Sequence, residues 1–410
     1  MKTTRMRELA VRQRIPMVWL LDSAGARIQA TSGSSFAGAG ALFREQVTMS
    51  GVVPQVAAML GHCAAGTAYV PALADFIPMV KGTSSMALGG RHLVRAATGE
   101  EVTEEEMGGT EVHTRISGVA DLEVLSDEDC LAVVRKYLSF FPSHNREAPP
   151  VAPCSDPVDR RVEELYKIVP TAPRRAYDMV KVVQAVVDDG DFFPMKPGFA
   201  RNLVTGLARV GGMPVGIVAN QPMVLGGALD VNAADTAARF VWLCDAFGIP
   251  LVFLHDVPGF IVGSAVEKQG IIRHGAKMLY AYAEATVPKI TVVLRKGYGG
   301  AKQALCTREM GADQLLVWPG VELAVMGGGG AVNVLYKREI EQSSDPAKTR
   351  AEKIAEYQER FNGPFEALAK QFAQAAIRPA ETRRRLVQCL EVLRFKKEER
   401  PRKKHGLMPV

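Results

Sequence analysis

The chain has no cysteine pair. Cys63, Cys130, Cys154, Cys244, Cys306 and Cys389 are scattered, and no two stand at the C-x-x-C spacing of a zinc ribbon or redox motif. Six isolated thiols in 410 residues suit a reducing compartment, each as a small buried hydrophobe. Long apolar runs are also lacking: none reaches the ~18 residues of a membrane span, Asp22 cutting the run Pro16–Leu21 for one. No apolar core of a secretory signal follows Met1-Lys2-Thr3-Thr4-Arg5. The expectation is a soluble, cytoplasmic protein. There is no Gly-x-x-x-x-Gly-Lys-Ser/Thr loop for phosphates. Ser23 lies in Asp-Ser-Ala-Gly rather than a Gly-x-Ser-x-Gly elbow, and no His-x-x-x-His or paired His/Asp cluster suggests a metal. Charge of one sign is scarce outside the C-terminus. The net charge is +6, from 50 Lys and Arg against 44 Asp and Glu. Residues 394–404 hold seven basic and two acidic residues, which leaves the body near neutral and disfavours nucleic acid.

What is present is an ordinary globular composition, 47% hydrophobic and 23% charged, in a chain long enough for two or three domains. The chain also repeats itself. Ile15-Pro16-Met17-Val18-Trp19-Leu20-Leu21-Asp22 matches Ile249-Pro250-Leu251-Val252-Phe253-Leu254-His255-Asp256 at an offset of 234. Val53-Pro54-Gln55-Val56 matches Val287-Pro288-Lys289-Ile290, and His62–Thr67 matches Lys296–Ala301, in the same register. Ala87–Gly90 against Val325–Gly328 shifts the offset to 238. Two copies this large are a duplication rather than a solenoid.

Each copy has the same grammar. Short β-rich runs (Val18–Leu21, Val252–Leu254) end in Asp-x-x-Gly, and a helix-length segment follows (Ala39–Met49, Gly270–Glu284). A second strand (Val56–Leu60, Ile290–Leu294) then runs into a Gly/Ala turn opening another helix (Gly66–Leu73, Gly300–Cys306). This order predicts parallel βαβ units in an α/β fold. The Pro-rich stretch Asn145–Pro153 reads as a linker, placing domains at 1–150 and 151–410.

The glycine turns are the candidate chemistry. Without Cβ atoms, a Gly/Ala turn leaves uncovered the first N–H groups of the helix, which have no intrahelical acceptor and carry the positive end of the dipole. Tight helix–strand packing asks for small residues too, but two turns at matching repeat positions favour paired oxyanion sites. With donors and no evident nucleophile or metal, the pattern suits a reaction whose substrate or cofactor brings its own base.

The sequence resembles the carboxyltransferase (beta) subunits of biotin-dependent acyl-CoA carboxylases, propionyl-CoA carboxylase-like. The matching stretches are Asp22–Arg27, Ala96–Val102 and Ser117–Asp121, then Tyr177-Asp178, Val218–Pro222, Asp256–Phe260, Gly275–Lys277, Arg295–Ala301 and Lys403–Gly406. The resemblance implies two tandem crotonase-like (ClpP/crotonase) domains, the first lacking the family's usual N-terminal part. It implies transfer of a carboxyl group from carboxybiotin to the α-carbon of a short acyl-CoA, with biotin taking the α-proton. Carried over by position, Ala65 and Gly66, with Thr67 beside them, hold the thioester or enolate oxygen. Gly300 and Ala301 hold the biotin ureido oxygen, and Tyr298, Gly299 and Gln303 line the substrate. Ala65-Gly66-Thr67 stands where Gly-Gly-Ala is usual, and Gln303 where propionyl-type enzymes carry Asp. Biotin would arrive on a partner biotin carboxylase/carrier (alpha) subunit, since this chain has no Met-Lys-Met biotinylation motif. The assembly implied is a homo-oligomer, a trimer of dimers. A decarboxylase running the transfer in reverse and a non-catalytic scaffold paralogue are the alternatives.

His62 is read as supporting the first turn rather than as an acid, and His113 and His255 as packing or hydrogen-bonding residues. Asp22 and Asp256 are read as caps of the following turns. Arg27, Arg295 and Lys296 contact phosphate or carboxylate, or form surface or subunit salt bridges. The basic tail is expected to dock on a neighbouring subunit.

Overall fold

The computed structural model describes residues 2–25, 40–172, 175–361 and 363–410. Its internal contacts divide the chain into two compact units. The first is Met1–Val151 with Phe193–Ala200 and Ala246–Ile249; the second is Ala152–Phe192, Arg201–Asp245 and Pro250–Val410. Lys196 shows why a later segment belongs to the first unit. Its ammonium donates to the carbonyls of Gly118 (2.6 Å) and Val119 (3.2 Å) and lies 3.2 Å from the Asp121 carboxylate.

The first unit is built on a parallel sheet of β1 (Met17–Ser23), β2 (Gln55–Ala64), β3 (Pro78–Val80), β4 (Ser85–Ala87) and β5 (Leu122–Val124). The order is β1-β2-β3-β5, with β4 pairing the far end of β2. One core packs Ala57, Met59 and Met79 with Ile77 and Met86; another packs Trp19 and Met49 with Val53 and Val70. Phe76 stacks on Tyr137, ring centroids 4.4 Å apart.

A short strand, β6 (Phe192–Met195), falls at the division between units. The second unit continues with β7 (Leu203–Val210), β8 (Met213–Asn220), β9 (Leu251–Val257), β10 (Lys289–Tyr298), β11 (Gln314–Val317), β12 (Glu322–Ala324) and β13 (Ala375–Ala376). β7 and β8 form an antiparallel hairpin whose turn residues Gly211 and Gly212 both have positive φ, as a two-residue turn matching strand twist requires. The sheet runs parallel from β8 through β9, β10 and β11 to β13. Strands buried on both faces explain the unbroken apolar runs: every residue of β9 is buried.

The duplication is visible pair by pair. Met17 lies opposite Gln55, and Leu251 opposite Lys289, both 234 residues on. The ladders even slip at the same place, Ser23 opposite Cys63 and Val257 opposite Gly297. Asp75 Oδ2 accepts the Gln55 N–H at 2.8 Å, and Asp313 Oδ2 accepts the Lys289 N–H at 2.8 Å. One detail is corrected. Ala87 pairs with Ala64 while Ala324 pairs with Tyr298, so the late blocks are offset by 237, not 238. The helix caps agree, Gly90 corresponding to Gly327.

Candidate active site

In the first unit β2 ends at Ala64 and the chain turns at Ala65, φ +57°, into the short 3-10 turn Ala65–Ala68. In the second unit β10 ends at Tyr298 and turns at Gly299, φ +55°, into the helix Gly299–Ala304. The two turns thus share a positive φ at equivalent positions, and in each the opening N–H groups precede any intrahelical acceptor. A left-handed alanine is strained where glycine is not. Ala65→Gly should therefore be neutral or stabilising by up to about 1 kcal/mol, measured by urea unfolding. A loss of about 1 kcal/mol, the usual cost of Ala→Gly in a helix, would count against the strained turn.

The space in front of these turns decides between packing and function. A Cβ built at Gly300 meets no atom within 4 Å, and one at Gly66 meets only the tip of Phe43 at 3.9 Å. Packing does demand glycine elsewhere: a Cβ at Gly61 would collide with the Asp22 carboxylate, and one at Gly108 with the Met86 carbonyl. Gly66 and Gly300 are both exposed, so their amides can be approached from outside the chain.

The model of the carboxyl transferase domain matches residues 1–408. The chain belongs to the carboxyl transferase family. Among its relatives is the methylmalonyl-CoA carboxyltransferase 12S subunit of Propionibacterium freudenreichii subsp. shermanii, 48% identical over 408 residues, covering all of this chain and 77% of that protein. The mitochondrial propionyl-CoA carboxylase beta chain of Sus scrofa is 44% identical over 409 residues, covering all of this chain and 74% of that one. The methylmalonyl-CoA decarboxylase subunit alpha of Propionigenium modestum is 44% identical over 409 residues, covering all of this chain and 79% of that one. A crystal structure of transcarboxylase 12S superposes with a TM-score of 0.94 at 48% identity, over 99% of this chain and 78% of that one. The fold is that of the crotonase-like carboxyltransferases, and the enzyme class is acyl-CoA carboxyltransferase.

In this carboxyltransferase Thr67 closes its own turn, its hydroxyl donating to the Ala64 carbonyl at 2.6 Å. Ala301 is buried and anchors the second turn from inside, whereas Gln303 is half-buried and accepts the Thr307 hydroxyl. The Tyr298 hydroxyl donates to the Glu322 carboxylate, and burial together with that carboxylate pushes the phenol well above its ordinary pKa. Both residues line a cleft of about 530 Å³ within the second unit, along with Arg295, Lys296 and Gly327–Gly330.

Arg295 is neither a surface ion pair nor a free anion contact. It is buried, its guanidinium pairs with the buried Asp256 at 2.7 Å, and its Nη1 donates to the carbonyls of Pro170, Ala172 and Arg175. The guanidinium also stacks over Tyr177, 4.7 Å from the ring centroid. Asp256 accordingly does more than cap a turn: it holds Arg295 and accepts the Lys296 N–H at 3.2 Å. The strand that delivers Tyr298 and Gly299 is thereby fixed two residues before the turn. Arg27 lies outside the described residues.

The histidines differ. His255 is fully buried, which lowers its pKa to about 3, and its Nε2 donates to the Leu305 carbonyl just past the helix Gly299–Ala304. His113 bridges Met86 O at 2.7 Å and Ser117 Oγ at 2.8 Å. His62 stands on β2 with Ser85 at one ring nitrogen and Glu104 at the other, partners that no motif had indicated. The basic tail lies along its own unit. Lys396 reaches Asp313 at 2.9 Å, and Lys403 reaches Glu284 at 2.5 Å. Among the described residues no group of three His, Cys, Asp or Glu side chains could hold a metal, and no helix is long and apolar enough to cross a membrane.

Proposed function

We propose that this acyl-CoA carboxyltransferase moves a carboxyl group from carboxybiotin to the α-carbon of a short, propionyl-type acyl-CoA, using the two open turns as its oxyanion sites. One observation carries the reading: Gly66 and Gly300, at equivalent places in a duplicated fold, open their turns where an added Cβ would meet at most the tip of Phe43. The amides of Ala65 and Gly66 would receive the thioester oxygen and strengthen their hold as charge builds on the enolate. Those of Gly300 and Ala301 suit a ureido oxygen, because the missing Cβ leaves room for a flat ring against the backbone. When bound, biotin supplies the transferable carboxyl group and the base for the α-proton, so the protein needs donors rather than a base of its own. Gln303, tethered to Thr307, borders the second turn with Tyr298 and Gly299 and would shape the pocket for the acyl group.

We take the domains as 1–150 for acyl-CoA and 151–410 for biotin. The working partner is a separate biotin carboxylase/carrier (alpha) subunit, and the compartment the cytoplasm. The related transcarboxylase 12S is described as a hexamer with methylmalonyl-CoA bound. That supports a homo-oligomer here, a trimer of dimers, in which the first turn of one copy and the second turn of another serve one reaction. The related methylmalonyl-CoA decarboxylase subunit supports a second reading, the same transfer run in the opposite direction.

The test is an assay of the oligomer with carboxybiotin and a panel of acyl-CoAs, followed by the reverse assay with methylmalonyl-CoA and free biotin. The expected result is carboxyacyl-CoA formation favouring short chains. No transfer in either direction by a folded oligomer that also fails to bind acyl-CoA on titration would leave only the scaffold reading.

A further inference from the structure

We propose that Ser85, His62 and Glu104 form a second reactive centre in the first unit, a serine-type site that hydrolyses acyl-CoA thioesters. Strand β4 pairs with β2 so that Ser85 stands opposite His62. Ser85 Oγ lies 2.8 Å from His62 Nδ1, and Glu104 Oε2 lies 3.1 Å from His62 Nε2. A carboxylate can only accept, so Glu104 fixes the proton on Nε2 and leaves the Nδ1 lone pair facing the serine hydroxyl. That is the nucleophile–base–orienter relation of a catalytic triad, with the two ring nitrogens exchanged relative to the serine-protease arrangement.

The backbone that carries the orienter is capped, while its side chain is 40% exposed. Glu104 opens the helix Glu104–Gly108, and its neighbour Glu106 is occupied in a capping box with Thr103, at 2.9 and 3.1 Å. Ser85 is sheltered at 7% exposure, whereas the His62 side chain is 52% exposed and open to solvent. The fold does not require this trio. At the same ladder position the second unit pairs Lys296 with Glu322 and has no nucleophile.

The chemistry closes without a further reactant except water. Ser85 Oγ bonds to the thioester carbonyl carbon while its proton passes to His62 Nδ1. The C–S bond then breaks, and His62 returns the proton to the departing sulfur. Water adds to the acyl-serine, giving a proton to His62 that passes to Ser85 Oγ as the carboxylic acid leaves. The oxyanion donors would come from the Ala65–Gly66 turn into which β2 runs, and in this and in the acyl-CoA substrate the inference rests on the function proposed above.

The experiment uses the full chain without any biotin-bearing partner. Purified protein is incubated with propionyl-CoA or methylmalonyl-CoA and free coenzyme A thiol is measured. A parallel sample is treated with a fluorophosphonate and peptide-mapped. Phosphonylation should map to Ser85, and Ser85→Ala should abolish both the label and thiol release while still carrying out carboxyl transfer. His62→Gln should slow thiol release by about 100-fold or more. Ser85→Cys should restore part of it, which a purely structural serine would not do. Absence of label at Ser85, or thiol release in Ser85→Ala equal to that of the parent, overturns the proposal. Neither result bears on carboxyl transfer, whose own test is the carboxybiotin assay and the Gly300 variant, which leaves the Ala65–Gly66 turn untouched.

Discussion

A valine at Gly300 is expected to cut carboxyl transfer by about 10²–10³-fold, and a valine at Gly66 to do the same, while the chain folds as before. The fold should tolerate both because an added Cβ meets nothing within 4 Å at Gly300 and only the tip of Phe43 at 3.9 Å at Gly66. The reaction should not, because the same atoms fill the approach to amides that would stabilise a developing negative oxygen. Losing one such donor typically costs about 2.7–4 kcal/mol of transition-state stabilisation. The two variants should differ in kind. Gly66→Val should lose rate with every acyl-CoA yet leave biotin-side exchange intact, and Gly300→Val the reverse. The measurements are kcat for transfer, the partial exchange reactions and urea unfolding. Rates within threefold of the parent in a folded variant would remove that turn from the mechanism.

Arg383→Ala is expected to destabilise the second unit by about 3–5 kcal/mol, because it takes the guanidinium from buried Asp188 and one of two from Asp156. Arg383 is fully buried in the helix Thr382–Leu393. Its Nη2 meets Asp188 Oδ1 at 2.7 Å and Asp156 Oδ2 at 3.3 Å and donates to the Asp156 carbonyl, while Nη1 and Nε donate to the carbonyls of Val186 and Pro157. Asp188 in turn accepts the Gly211 and Gly212 amides of the β7–β8 hairpin, so one side chain ties the C-terminal helix to the sheet. Arg383→Lys keeps the charge but not the fork and should fall in between. The readout is the shift in urea midpoint at constant m-value.

The pH dependence of that cluster has a definite sign. Burial raises the Asp156 carboxyl, but hydrogen bonds from Arg160 and the Asp189 amide, with the charges of Arg383 and Arg160, bring it below the ordinary range. A carboxyl with a lowered folded pKa stabilises above its unfolded value of about 3.9, and the contribution is lost as pH falls through the folded value. Removing Arg383 takes away part of that lowering. The acid-unfolding limb of the variant should therefore move to higher pH.

By itself the sequence determined the duplicated α/β grammar, the two glycine turns and the resemblance that names the chemistry. Those features are local or periodic: strand runs of fixed length, Asp-x-x-Gly endings and small residues at a strand-to-helix junction survive in one dimension. The helix Ile271–Glu284 and the strands around it lie where those patterns put them. Only the tertiary structure decided which glycines are demanded by packing and which stand open, since the neighbours of Gly61 and Gly108 come from other strands. It also decided that Arg295 is a buried rivet, through partners 120 and more residues away. The trio around His62 was equally illegible, because Ser85 and Glu104 reach the ring across a strand pairing and a helix start that no spacing encodes. Hydrogen bonds between distant side chains depend on register and direction, and both exist only once the sheets have closed.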